Sequence, residues 1–216
     1  MSSVLLRSTL ALGLAALSAP AIAAADFAAC FSLTPGVSWS NGDDTITNAA
    51  DRFAGQDVIS VTTRGGGLAR ATFHDRSGRQ YLGEVDYAVP SLGNNNSDAP
   101  LTTERYQPAP TFPASAVPGS RFKLVGHGQR TAHGGDTVTP IAYEGFSDYT
   151  FVGFEDLAVE IDYQPRTFKD TCHLRARVEG GHIDAWHAPG FGRIKFQRYD
   201  GDNLLMGEEI ETILQE

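Results

Sequence analysis

The chain has 216 residues, of which 26 are acidic and 17 basic, for a formal charge of −9. An acid excess of that size argues against holding nucleic acid or an anionic membrane surface by charge alone. The length suits one domain with a sizeable core, since domains commonly run to about 100–200 residues.

The first residues have a leader's composition. Met1 to Arg7 supplies one cation and no acid, Leu10 to Leu17 is apolar, and Pro20 breaks the run before Ala21-Ile22-Ala23-Ala24-Ala25. A basic start, a short apolar run and an A-x-A site form the secretory signal pattern. Residues 1–25 are therefore read as a signal peptide and 26–216 as one antiparallel β-sheet domain. The apolar run is shorter than the ~20 residues needed to cross a bilayer. No other stretch is longer, so no transmembrane segment is expected in the mature chain, which would be periplasmic or extracellular. Removing Arg7 leaves 16 basic against 26 acidic residues, a formal charge of −10.

Two cysteines remain, Cys30 and Cys172. An even count in an exported chain reads as one disulfide. It would close a loop of about 140 residues, which the chain-entropy model makes worth roughly 5 kcal/mol. Two other uses are open: Cys172 as a nucleophile or metal thiolate, and Phe27-Ala28-Ala29-Cys30 as a lipid-attachment box, with Asp26 where such a box is apolar.

From Cys30 onward the pattern is β. Pro35-Gly36 marks a turn, and Val37 and Trp39 alternate with Ser38 and Ser40, so Trp39 is expected in the core with its indole N–H on a carbonyl or water. Asp44 to Thr47, Gln56 to Thr63, Leu68 to Phe73 and Gln80 to Val89 read as strands, with Gly65-Gly66-Gly67 and Asp75-Arg76-Ser77-Gly78 as turns. Turns every ten residues or so indicate an antiparallel meander. Residues 90–118 hold Asn94-Asn95-Asn96 and then Pro108, Pro110, Pro113 and Pro118, and read as an irregular connection. The meander resumes at Arg121 to Val125, passes a hairpin at Gly134-Gly135, and includes the apolar run Tyr149 to Ile161. His173 to Val178 and Arg193 to Phe196 are strands about a tight turn at Ala188-Pro189-Gly190, with Trp186 at its rim and Phe191 and Ile194 in the core. Leu204 to Leu214 fits a last strand better than a short helix. The fold class is all-β, a single curved antiparallel sheet or open half-barrel, with little helix beyond the signal peptide.

Phe31-Ser32-Leu33-Thr34-Pro35-Gly36-Val37-Ser38-Trp39 resembles the aromatic-x-Leu-x-x-Gly-x-x-Trp opening of a loose group of uncharacterised secreted bacterial proteins. Trp186-His187-Ala188-Pro189-Gly190-Phe191-Gly192-Arg193-Ile194-Lys195 looks like the same group's closing hairpin, with His187 where an aromatic is usual and Phe191 where a small aliphatic is. The resemblance implies a curved sheet similar to the periplasmic lipoprotein carriers and their open-barrel relatives. It implies no activity.

Catalytic motifs are weak. Six histidines are present, the tightest set being His182-Ile183-Asp184-Ala185-Trp186-His187. On a strand His182 and Asp184 share a face and His187 takes the other, whereas zinc needs about three or four ligands. His127 and His133 would have to be joined by a loop. Gly145-Phe146-Ser147-Asp148 lacks the strand-turn-helix context of a nucleophile elbow, and Gly65-Gly66-Gly67 lacks the Lys-Ser/Thr of a phosphate loop. No catalytic, cofactor or metal residue is assigned. A curled sheet must cover its apolar face or leave a groove, and Phe151, Phe154 and Phe191 mark a candidate face for an apolar ligand. The expected function is a non-enzymatic exported β-domain binding an apolar small molecule or envelope component. The alternative is a structural or protein-interaction module, and last comes a metal-dependent hydrolase using His182, Asp184 or His187.

Overall fold

The computed structural model describes residues 26–41, 44–65, 68–88, 99–135, 137–161, 164–201, 203–209 and 211–213. The signal-peptide expectation falls on residues 1–25, outside the described residues. Period-two runs of β-branched and aromatic residues give strands throughout. In chain order they are β1 (Ser38–Asn41), β2 (Asp44–Phe53), β3 (Gln56–Gly65), β4 (Leu68–His74), β5 (Tyr81–Ala88), β6 (Pro100–Tyr106), β7 (Arg121–Lys123) and β8 (His127–Ala132). Then follow β9 (Thr137–Ala142), β10 (Asp148–Ile161), β11 (Gln164–Val178), β12 (Gly181–Ala188), β13 (Gly192–Asp200), β14 (Asn203–Glu209) and β15 (Glu211–Ile213). Among the described residues the helical structure is one 3-10 turn, Phe27–Phe31, capped by the Asp26 carboxylate, which accepts from the Ala28 N–H at 3.0 Å.

All strand pairing is antiparallel and the sheets do not close into a barrel, as an all-β open meander requires. The strands divide between two sheets. Nine run in the order β15-β1-β2-β3-β4-β5-β6-β8-β9 and six in the order β14-β13-β12-β11-β10-β7. The chain changes sheet between β6 and β7, between β7 and β8, between β9 and β10, and between β14 and β15.

Three expected elements take a different form. Leu101-Thr102-Thr103-Glu104-Arg105-Tyr106 lies within the span read as irregular, yet forms β6 between β5 and β8. Its threonines favour a strand, Pro100 stands at the strand's first position where a proline is tolerated, and no further proline comes before Pro108. Trp186 is not at the rim of a turn. A whole strand, β12, separates the two runs expected to form one hairpin, and the chain reverses at Glu179-Gly180 and again at Pro189-Gly190. The C-terminal segment is two strands, β14 on the six-stranded sheet and β15 beside β1.

The Cys30–Cys172 disulfide is formed, with Cα atoms 5.8 Å apart. The Cys30 sulfur is thus committed to Cys172 and unavailable to a lipid thioether. Around the bridge Phe27, Phe31, Phe151 and Leu174 form a core cluster, with Phe151 and Leu174 fully buried. The 3-10 turn therefore acts as a plug. Gly78, at φ +74°, lets the β4–β5 turn approach it so closely that a Cβ there would meet the Phe31 carbonyl oxygen at 1.7 Å. Beyond the plug, Gly190 N–H donates to the Ser32 carbonyl at 3.0 Å and Thr34 N–H to the Gly190 carbonyl at 2.7 Å. A second cluster gathers Val159, Phe168, Trp186, Ala188 and Ile194. A third, on β2–β5, has Phe53 stacked on Phe73 at 4.2 Å.

Candidate functional site: a cavity between the sheets

On β3 and β4, Val58, Ala71 and Phe73 fill the third core cluster, while Val61, Thr63, Thr72 and His74 take the other face by alternation. That second face is not filled. It borders a cavity of about 350 Å³ walled by both sheets and by the segments joining them. Trp39 on β1 and Ile46 on β2 extend the apolar wall, and Trp39 pairs with Ile46 across the strands. Tyr149 of β10, His187 of β12 and Arg193 of β13 come from the facing sheet. Phe31, Leu33, Pro110, Phe112, Leu124 and Tyr143 close the sides.

The rings of the lining fall into two contact groups, one around Phe112 and one around Tyr81. Phe31 stacks on Phe112 at 4.1 Å and lies 5.3 Å from His187, Phe112 is 5.5 Å from Tyr149, and Tyr81 is 5.8 Å from Tyr143. The histidines and tyrosines of this wall stay uncharged at pH 7. Burial drives the His74 ring down to about 4, against a smaller opposing pull from Asp75 and the Gly78 backbone. His187 falls to about 3 through burial, helped by the positive charges of Arg193 and His74. Both imidazoles are neutral at pH 7, with the Thr72 hydroxyl 3.3 Å from His74 Nε2. Burial raises the Tyr149 and Tyr143 hydroxyls, and burial plus a hydrogen bond donated to Glu84 raises Tyr81. Three wall atoms, Trp39 Nε1, His74 Nδ1 and His187 Nδ1, are buried and have no hydrogen-bond partner among the described residues. Trp39 is in the core as expected, but its indole N–H meets neither carbonyl nor side chain among the described residues. Such orphaned donors and acceptors are uncommon in filled interiors.

Of the three phenylalanines expected to share a ligand face, Phe151 and Phe154 pack together and Phe191 lies apart from them. Phe151 is fully buried beside the disulfide, Phe154 packs against that cluster 4.9 Å from Phe151, and Phe191 borders the cavity. The histidines are also dispersed. His182 and Asp184 lie on one face of β12 and His187 on the other. Asp184 is engaged: burial pushes its carboxyl up, but hydrogen bonds from Arg175 and His173 outweigh that and hold it well below the usual range. Arg175 reaches it through two nitrogens at 2.7 and 2.8 Å, and His173 bridges from Asp184 to Glu155, which accepts the Trp186 N–H. These side chains engage one another as a structural network. His127 and His133 bracket β8 at opposite ends, about 20 Å apart at ~3.4 Å per residue. No group of three metal-binding side chains is found among the described residues.

His74, Tyr143 and Arg193 were not marked by the sequence. His74 shares Thr72's face one step on, which was a readable signal. Its contact with Tyr81, at 5.7 Å across the turn, was not. A larger concavity of about 950 Å³ crosses β7, β10, β11 and β12 and includes Arg121, Lys123, Arg175 and Arg177, with Asp148 among them. Its charged groups follow the ordinary cross-strand alternation of a solvated face.

No helix among the described residues is long and apolar enough to cross a membrane, a statement that leaves strand-built spans aside. No family model matches the chain, and neither curated proteins nor solved structures contain a match.

Proposed function

We propose that the chain is an exported, non-enzymatic binding protein that encloses a small apolar molecule between its two sheets, as its resemblance to the lipoprotein-carrier-like open barrels also suggests. One observation carries this reading. The inter-sheet face is walled by aromatic and aliphatic side chains around a hollow of about 350 Å³, although Phe151 and its neighbours show that this chain can fill a core completely. Ligand sites commonly occupy about 300–1,000 Å³ and are mostly apolar with a few polar groups. At the ~30 Å³ that a water takes in the liquid, the cavity has room for about a dozen non-hydrogen atoms. The disulfide fits the oxidising compartment that export would supply.

The interaction-module reading has less support. The nine-stranded sheet's β9 edge carries Pro140, which cannot donate to an added strand, and β7 at one edge of the other sheet is three residues long.

The test is calorimetric titration with 1-decanol. Ten carbons at ~0.8 kcal/mol each give about 8 kcal/mol, and association costs at least ~4 kcal/mol of it, which leaves about 4 kcal/mol at most and a Kd of about 1 mM or weaker. Val61→Phe, which places a ring in the hollow, should abolish binding without lowering Tm. If wild type shows no saturable binding of decanol or decanoate, the interior is closed and the proposal is wrong.

A further inference from the structure

We propose that the molecule held between the sheets is a single-tailed amphiphile whose anionic head sits at Arg193, an inference that rests on the apolar-binding reading above. Among the described residues the cavity wall contains Arg79, Arg193, His74 and His187 but no aspartate or glutamate. In a chain with 26 acids and 17 bases, a wall with that bias is a departure from composition.

The two arginines differ in what they are free to do. Arg79 is half-buried and donates through Nη1 to the Phe112 carbonyl at 3.0 Å, so it braces the wall. Arg193 is the exposed member of the lining, which places it where the cavity meets solvent. Its guanidinium lies 4.8 Å from the centre of the Phe196 ring, and no carboxylate among the described residues pairs with it. Its charge reaches inward to Tyr143, Tyr149 and His187. Glu84, an acid of the surrounding network, accepts the Tyr81 hydroxyl at 2.6 Å and also faces Arg70 at 3.9 Å. Trp39, Ile46 and Val61 on β1–β3 offer an uncharged wall for the tail.

A guanidinium with no carboxylate partner among the described residues, at the mouth of an apolar hollow with no described acid in its wall, matches a carboxylate, sulfate or phosphate joined to one short chain. It does not match a cation. The volume limits the tail to about ten carbons beside the head, at ~30 Å³ per heavy atom.

The test compares four ten-carbon probes by calorimetry on the full chain: decanoate, decyl sulfate, 1-decanol and decyltrimethylammonium. Hydrogen bonds to charged groups are the stronger kind, so decanoate and decyl sulfate should bind about tenfold or more tighter than decanol, and the cation weaker than decanol. A preference for one anion over the other identifies the head. Arg193→Gln, at an exposed position and with its fold checked by near-UV circular dichroism, should bring decanoate to within about twofold of decanol, both measured on the variant. Equal affinity of wild type for decanoate and decanol overturns the head-group assignment and leaves apolar binding standing. Tight binding of the cation, or an anion preference that survives Arg193→Gln, also overturns it. Binding of none of the four probes removes the apolar reading itself and this inference with it.

Discussion

Acid should destabilise this protein well above the pH at which its carboxylates titrate. His74 and His187 have ring pKa values lowered to about 4 and about 3 by burial, whereas an unfolded histidine sits near 6.5. As pH falls below 6.5 the unfolded chain takes up protons that the folded chain refuses, and proton uptake by the unfolded state lowers stability. The stabilisation is complete above about 6.5, is lost progressively as pH drops, and has no further to fall below about 3. Between pH 7 and pH 5 each histidine contributes a loss of about 2 kcal/mol, so the pair costs about 4 kcal/mol. That is an upper figure, because both rings keep some accessible surface and both border a cavity that solvent can enter. Ordinary carboxylates, with pKa near ~4, stay ionised over that window in both states. Urea unfolding followed at half-unit steps from pH 7 to 5 measures the effect. The midpoint should fall steadily at constant m, His74→Gln or His187→Gln should halve the slope, and the double variant should flatten it. A flat wild-type profile, or a slope that persists in the double variant, would refute the buried, neutral character assigned to the two rings.

Truncation of Phe151 to alanine opens the cluster around the disulfide, where the ring is fully buried 4.8 Å from Phe27. A loss of about 3–5 kcal/mol is expected, read as a drop in Tm of about 6–20 °C, while decanol affinity changes little because Phe151 is absent from the cavity wall. Replacing both Cys30 and Cys172 by alanine releases a loop spanning 142 residues, for which the chain-entropy model gives about 5 kcal/mol. A double variant within 1 kcal/mol of wild type by urea denaturation would show that the unfolded chain is not the state this bridge acts on.

The strands were readable wherever one face differed from the other. Leu68 to Phe73 is an example: its Ala69, Ala71 and Phe73 face is buried as alternation requires. The disulfide was readable because only two cysteines exist. Alternation could not say which of two covered faces is packed and which is hollow, because both carry apolar side chains. Phe151 and Phe191 look equivalent in sequence, yet one is sealed beside sulfur and the other borders a cavity. β6 was hidden by prolines that follow it, and β12 by a Pro-Gly turn that drew attention from the earlier turn at Gly180. The cavity lay beyond sequence reasoning for a plainer reason. His74 and His187 stand 113 positions apart, and only the meeting of two sheets places both in one wall.

The plug formed by Phe27–Phe31 has a consequence for the order of events during synthesis. Its partners are Cys172, His187 and Gly190, near the far end of the chain. At a ribosomal pace of roughly 5–20 residues per second, the earliest ordered segment waits roughly 8–30 s for the hairpin that will cover it. Until then three hydrophobic groups, Phe27, Cys30 and Phe31, have nowhere to go, and the nascent protein is a client for whatever holdase meets it first. Folding here is not a zipper run from the amino end but a clasp that shuts last.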